Sequence, residues 1–361
     1  MSHRAEDRKG GHLPPTSMSR RALLRSGALL AGSGVAAGAL GTRQAVAATI
    51  TTAPVPPGAK GPPIPAEGYL LRELGEDLFW LTDGLYQMMF LRTHHGVVVV
   101  DAPPTIGNNI TRAIARVTRN PVTDLVYTHH HADHVGAAAI FDNPRLRRYA
   151  HEDTAALLAE VHDPNRPVPE RTFKTSRRLR RGHHELRLDY HGPNHTFGNI
   201  FVYAPRQQVL MLVDVIFPGW VPFAYLAVSS NVPGWVTAHG KALAYPFETL
   251  VGGHLTRLGT RADVTVQQEY IEDLRREATA ALVHPSVLGA AFDPTTVDQA
   301  NPWAVFEAYL DAAATRASDM VVPQWVTRLG GADVFTDENA FAMAEAIRID
   351  YGDLGPFGVR P

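Results

Sequence analysis

From about Tyr69 the chain alternates between short β-branched apolar runs and stretches where apolar residues recur every three or four positions. "DLFWLTD" and "QMMFLRTHHGVVVVDAPP" read as strands, the first ending in a turn at Asp83-Gly84. "GVVVVD" is an unbroken β-branched run, which predicts a buried central strand ending at Asp101. "NNITRAIARVT" puts Ile110, Ile114 and Val117 on one face and predicts a helix. A strand at Leu125 to Thr128 follows, then helix "EDTAALLAEV" and strands "HELRLDYHG", "NIFVYAP" and "QVLMLVDVIFP". A helix from Trp235 to Leu243 precedes a last apolar strand ending in "LVGGHL". Beyond Leu255 the period becomes helical throughout. "VTVQQEYIEDLRREATAALV" is amphipathic, the next stretch carries Trp303, Phe306 and Leu310 at helical spacing, and "DENAFAMAEAIRID" closes the series. The pattern is α/β, with strand clusters before and after the middle compatible with two facing halves.

The first 47 residues follow a different rule. Arg20-Arg21 precedes a modest apolar run from Ala28 to Leu40, and Ala45-Val46-Ala47 offers small residues for cleavage. This predicts a signal peptide over 1–47, and its twin arginine resembles a Tat signal. Localisation is therefore expected to be exported, periplasmic or extracellular. The apolar run is too short to span a bilayer, and no cysteine follows it for a lipid anchor. Residues 48–68, rich in proline, read as an extended tether or a strap along the surface. A catalytic domain is expected over 69–258 and a helical extension over 259–361, where the helices pack on the domain, cover it as a lid or make a homodimer contact.

Composition narrows the chemistry. The 361 residues are 45% hydrophobic and 19% charged, enough for a core. The chain has no cysteine, so disulfides and thiolate metal ligands are excluded, and a metal site must use His and carboxylates. The full chain carries −2; the leader holds seven Arg/Lys and two Asp/Glu, so its removal leaves −7. An acidic chain is a poor partner for nucleic acid or an anionic membrane.

"THHHADHV", Thr128 to Val135, concentrates four histidines and an aspartate in a loop after a strand. Such a loop lets His129, His131, Asp133 and His134 converge, with His130 pointing away. Imidazole and carboxylate ligands suit zinc, iron or manganese. Further candidates sit at strand ends: His195 in "GPNHTFGN", Asp214 in "LMLVDVIF" and His254 in "LVGGHL".

These motifs together resemble the metallo-β-lactamase-fold superfamily. T-H-x-H-x-D-H matches Thr128 to His134, G-x-x-H-T matches Gly192 to Thr196, and Asp214 and Gly253-His254 complete the pattern. The resemblance covers roughly Leu70 to Leu255. It implies an αββα sandwich with two metal ions, expected to be Zn2+ with Fe or Mn as alternatives. His129, His131 and His195 would hold the first, Asp133, His134 and His254 the second, and Asp214 would bridge them. Asp101 would orient the histidine loop without touching metal. Glycines often found in the family before the bridging Asp, after the last His and before the third His are here Val213, Leu255 and Asn194. Asp at 214, where some β-lactamases of this fold have Cys, places the chain nearer the glyoxalase-II and lactonase branches.

Such a site implies a hydrolase whose metal-shared hydroxide attacks a lactone, ester, β-lactam or thioester carbonyl, with Asp133 orienting the nucleophile or moving its proton. The alternatives are a mononuclear iron sulfur dioxygenase of the same fold and a non-catalytic metal binder. Tyr86, Met88, Phe223 and Tyr225 are the candidate substrate contacts, the last two in the aromatic, proline-rich "FPGWVPFAYL". His151 reads as local structure at a helix start, and Arg177 to Arg181 as a solvated basic surface.

Overall fold

The computed structural model describes residues 52–141, 143–353 and 355; the leader and residues 48–51 lie outside the described residues. Strands β1 (Leu70–Gly75), β2 (Leu78–Thr82), β3 (Gln87–Thr93), β4 (Gly96–Val100), β5 (Val122–Val126), β6 (Arg147–His151) and β7 (Arg171–Phe173) pair in chain order into a seven-stranded sheet. Pairing is antiparallel as far as β4 and parallel from there. β8 (Ser176–Arg181), β9 (His184–Asp189), β10 (Phe201–Ala204), β11 (Val209–Met211) and β12 (Thr249–Val251) form a second sheet in the order β12-β11-β10-β9-β8. Helices α1 (Asn109–Val117), α2 (Ala132–Val135) and α3 (Glu152–Val161) lie among the first strands. α4 (Val232–Leu243) precedes β12, and α5 (Arg261–Leu282), α6 (Pro285–Ala291), α7 (Pro302–Trp325) and α8 (Ala332–Ile349) follow it.

Successive side chains leave a strand on opposite faces, and here both faces of both sheets are covered. Leu78, Trp80, Met89, Leu91, Val98 and Val100 face the second sheet, where Leu186, Leu188, Val202 and Met211 meet them. Their neighbours Phe79, Leu81, Met88, Phe90, Val97 and Val99 pack on Ile110, Ala113 and Ile114 of α1. Phe201, Tyr203, Leu210 and Leu250 turn the other way, onto Trp235 of α4, Tyr270 of α5, Trp325 of α7 and Met343 of α8. The result is helix, sheet, sheet, helix: the expected αββα sandwich. Two covered faces explain why "GVVVV" shows no polar alternation.

The helices after β12 are continuous with the layer over the second sheet. α5 starts with a capping box in which Thr260 and Asp263 satisfy each other's backbone N–H groups. α7 starts at Asn301, whose Oδ1 accepts from the N–H groups of Trp303 and Ala304 (3.1 and 3.3 Å). Among the described residues no helix is long and apolar enough to cross a membrane.

Two expectations sharpen. The proline-rich segment is a strap: the Ala53 N–H donates to Asp333 of α8 (2.5 Å), and Trp220 Nε1 donates to the Ala59 carbonyl (2.9 Å). The basic stretch Arg177 to Arg181 is not wholly a solvated surface. It is strand β8, and Arg181 reaches back to the fully buried Asp124 (Nε–Oδ2 2.9 Å). Burial alone would raise the Asp124 carboxyl, but the Arg181 guanidinium holds it below the ordinary value.

The outer helices connect to the loop after β11 through one buried amide. Gln267 of α5 accepts from the Phe217 N–H (2.8 Å) and donates to the Val215 carbonyl (2.6 Å) and to His239 Nε2 (2.8 Å). His239 Nδ1 must then carry the proton, since it faces the Trp235 carbonyl (3.1 Å). Burial pushes His239 down to about 4. The unfolded imidazole takes its proton below about pH 6.5, while the folded one stays neutral until about 4. The stability this burial permits is therefore present at neutral pH and lost as pH falls through that window. In urea unfolding, the loss of stability between pH 7 and pH 5 is expected to be about 2 kcal/mol smaller for His239→Gln than for the parent chain. Equal losses would remove His239 as the cause.

Candidate metal centre

All the expected ligands leave strand ends on one edge of the sandwich. Asp101 follows β4, and Thr128 to His134 follow β5. His195 lies between β9 and β10, Asp214 follows β11, and His254 follows β12. His131 occupies the N-cap position of the one-turn helix α2, which carries Asp133 and His134. His131 therefore comes from extended backbone, and Asp133 and His134 from helical backbone. This change of direction lets four near neighbours serve two centres. Asp101 and Asp214 both sit at positive φ (62° and 61°), a left-handed turn that short polar side chains tolerate. Gly253 is required by packing: a Cβ there would lie 2.6 Å from Val213 Cγ1.

Two four-donor groups share one carboxylate. His129, His131, His195 and Asp214 form the first, and Asp133, His134, Asp214 and His254 the second. Asp214 Oδ2 lies 3.1 Å from His195 Nε2, 3.2 Å from His134 Nε2 and 3.5 Å from His129 Nε2. Its Oδ1 lies 2.8 Å from His254 Nε2. His195 Nε2 is 3.0 Å from His131 Nδ1, and His134 Nε2 is 3.2 Å from His254 Nε2. Ligand atoms about 2.0–2.1 Å from a tetrahedral zinc are about 3.3 Å apart, so these separations match the edges of a metal's coordination shell. His129 Nε2 and both Asp214 carboxylate oxygens are buried without a hydrogen-bond partner. Orphaned donors of that kind, aimed at one another, fit a pair of divalent cations.

The electrostatics agree. Burial alone would raise Asp214, yet the imidazoles of His134, His254 and His195 hold it well below the ordinary carboxylate range. Burial would lower His134, but the Asp214 charge lifts it to about 9. His129, buried beside His134 and His195, is held well below the ordinary imidazole value. The buried Asp214 carboxylate thus favours positive charge on the groups that face it.

Other residues fix the ligands. Asp101 is fully buried and accepts from the Thr128 N–H (2.8 Å) and Thr128 Oγ1 (2.7 Å). Thr128 Oγ1 has its hydrogen committed to Asp101, so it accepts from His129 Nδ1 (3.1 Å), which leaves His129 Nε2 free to ligate. Trp235 Nε1 donates to the Asp214 carbonyl (2.9 Å), and Asn199 Nδ2 donates to the Val213 carbonyl (3.0 Å). Gln87 Nε2 donates to the His254 carbonyl (2.5 Å). Sequence reading passed over Gln87, although a lone polar residue in the apolar run "YQMMFL" was a visible signal. His130 contributes its carbonyl to Arg166 (2.8 Å), and His151 caps α3 while its Nε2 donates to the Lys174 carbonyl (2.7 Å).

The four candidate substrate contacts divide. Tyr86 lies against the ligands, its ring 4.7 Å from that of His254 and 5.4 Å from that of His134. Phe223 is 5.5 Å from the His254 ring, and the unforeseen Phe217 is 5.9 Å away. Met88 does not reach the site. Strand parity points it into the fully buried layer between the first sheet and α1. Tyr225 is also displaced from the expected place: it packs on Phe341 of α8 and lines a cavity of about 310 Å3 with Glu345 and Ile349.

The reason Tyr225 turns away is a left-handed turn. Tyr225, Leu226, Ala227 and Val228 have φ of 57°, 55°, 60° and 51°. At about 1–2 kcal/mol per residue, that conformation costs about 4–8 kcal/mol. Burial of Leu226 and Ala227 offsets it, as does Asn339 of α8, which accepts from the Leu226 N–H (2.7 Å) and donates to the Pro222 carbonyl (2.8 Å). One amide thus grips both sides of Phe223. Asn339→Ala is expected to lower stability by about 2–3 kcal/mol, since it leaves a buried N–H and C=O unpaired. It is also expected to lower kcat/KM while metal content per chain stays at the parent value. Unchanged kinetics would show that the turn does not shape the site.

The family profile described as "Metallo-beta-lactamase superfamily" matches residues 81–254. The alpha subunit of 2,4-dinitroanisole O-demethylase from Nocardioides sp. (strain JS1661) is 29% identical over 185 residues, 50% of this chain and 56% of that protein. Metallo-beta-lactamase type 2 of Elizabethkingia meningoseptica is 29% identical over 125 residues, 34% of this chain and 49% of its own. The chain spans about half the length of the curated relatives it matches. Among solved structures, a metallo-beta-lactamase from Pontibacter korlensis aligns with 56% of this chain and 99% of its own, at 20% identity and a TM-score of 0.49. Residues 81–254, the segment similar to the metallo-beta-lactamase superfamily, carry all seven expected ligands on the strand ends that present them.

Proposed function

We propose that the chain is a dinuclear zinc hydrolase acting on the carbonyl of a small-molecule substrate, an ester, lactone, thioester or β-lactam. The observation that carries this is the sharing of Asp214 between two complete donor groups. A site for one iron, as in the dioxygenase alternative, has no use for Asp133, His134 and His254 gathered on the same carboxylate. When bound, two such ions polarise a substrate oxygen and bring a shared water's pKa toward neutrality. His129, His131 and His195 would hold one, Asp133, His134 and His254 the other, and Asp214 both.

Asp133 is the most exposed of the ligands, its side chain 38% accessible. It stands where substrate enters and is the group to orient the nucleophile or receive its proton. Burial and the Asp133 carboxylate push the Tyr86 phenol up to about 12. At neutral pH Tyr86 therefore keeps its proton, which it donates to Asp133 in the free site and would turn toward charge developing on a bound substrate. Zinc suits a donor set of imidazoles and carboxylates. We also propose export, on the twin arginine and apolar run of the leader.

One observation favours a second reading. Tyr86, Phe217 and Phe223 surround His254 with aromatic faces, a lining suited to an aryl group. The similarity to an O-demethylase subunit of 2,4-dinitroanisole makes an activated aryl methyl ether the second substrate class to assay.

Metal analysis of the purified chain is expected to give about two zinc ions, and His131→Ala or Asp214→Ala to lose metal and hydrolysis together. One iron per chain, with oxygen uptake on sulfur substrates, would replace the hydrolase with the dioxygenase. Tyr86→Phe is expected to keep both ions and lose about 10- to 100-fold in kcat/KM; full activity would remove Tyr86 from the reaction.

A further inference from the structure

Three hairpin turns meet at the end of the sandwich opposite the metal centre. β4 runs from the His94-His95 turn to Asp101, β9 runs from His183-His184 toward His195, and β2 runs from Glu76-Asp77 toward Tyr86. Five or six residues of strand put this end roughly 15–20 Å from the ligands. Asp77, His183 and His184 there bring one donor atom each within 4.8 Å of one another. Asp77 Oδ2 is 3.3 Å from His184 Nε2, again the edge expected between ligands of a zinc ion. The His183 ring lies 4.0 Å from that of His184, and the His94 ring 6.4 Å from that of His183.

We propose that Asp77, His183 and His184 form a second, surface site for a divalent transition ion of the zinc, nickel or copper type, with His94 within reach as a further ligand. The donor set, two imidazoles and one carboxylate, selects such ions over magnesium or calcium. Arg92 supports the geometry: its Nε donates to Asp77 Oδ1 (2.7 Å) while its Nη1 donates to the Val117 carbonyl (3.0 Å), which aims the other carboxylate oxygen at His184. The same guanidinium opposes a cation, so this site binds more weakly than the central one. An ion here joins turns from both sheets.

The test is equilibrium dialysis of the full chain against micromolar Zn2+. His183 is exposed, so His183→Ala folds, and it is expected to hold one ion fewer than the parent chain, whatever number the central site holds. The same difference of one ion is expected between Asp214→Ala and the Asp214→Ala/His183→Ala double variant. Because each comparison is a difference, failure of the central-site reading leaves it intact. Equal zinc counts within both pairs would overturn the proposal, and His184 would then be a buried histidine hydrogen-bonded to Asp77 and Gln207 alone.

Discussion

A carboxylate with essentially no solvent exposure, Asp214, lies within 2.8–3.5 Å of four imidazole nitrogens. An uncompensated buried charge costs several kcal/mol even after the protein relaxes, so this residue dictates what surrounds it. His129, His134, His195 and His254 each present a ring nitrogen to it from a different backbone direction. That convergence needs several strands to end on one edge, and hence two sheets stacked with their ends in register. The sandwich is the scaffold that allows one acid to be faced from so many sides.

Support for that acid comes from both outer layers. On one side, Asp101 acts through Thr128 on His129. On the other, Trp235 of α4 holds the Asp214 carbonyl, and Gln267 of α5 holds Val215 and Phe217 just beyond it. Asn339 of α8 then fixes the turn that follows Phe223. The segment matched by the family profile ends at His254, yet the backbone around Asp214 is hydrogen-bonded to helices that come afterwards. These helices share one apolar cluster with the second sheet. Their removal would expose that sheet and release the loop over the ligand cluster together.

What could be read in the sequence follows from what each signal encodes. The ligands were legible because His and Asp at the ends of apolar strands have few other reasons to be there. The layer order was legible because apolar runs imply covered faces. Met88 misled because it leaves the chain on the same face as Tyr86, but two residues farther from the site that face is packed beneath α1. Tyr225 misled because four successive residues at positive φ, without a glycine, have no sequence signature. Asn339 was invisible for a related reason: within "TDENAFAM" it reads as part of a polar helix face, and only the third dimension buries it. The Asp77, His183 and His184 cluster joins turns more than a hundred residues apart, a distance no motif spans.

Backbone strain is concentrated around the chemistry. Asp101, Asp214, Leu255 and the run from Tyr225 to Val228 all occupy the left-handed region, where a non-glycine residue persists only if its surroundings insist on it. At Leu255, a position where the family often has glycine, the left-handed φ of 64° is kept without glycine's freedom, and the Leu255 N–H is held by the Leu85 carbonyl (2.8 Å). These strained points lie beside the ligands or in the turn after Phe223, and the longest of them is fastened to α8. The ligand set decides which ions and which class of reaction the domain supports, but it is shared across a fold with many substrates. The shape above the ligand cluster is set by Tyr86, Phe217 and Phe223, and the last of these is placed by a strained turn that a late helix holds in position. In the hydrolase we propose, substrate choice would reside less in the histidine motif than in the contact between α8 and the aromatic loop.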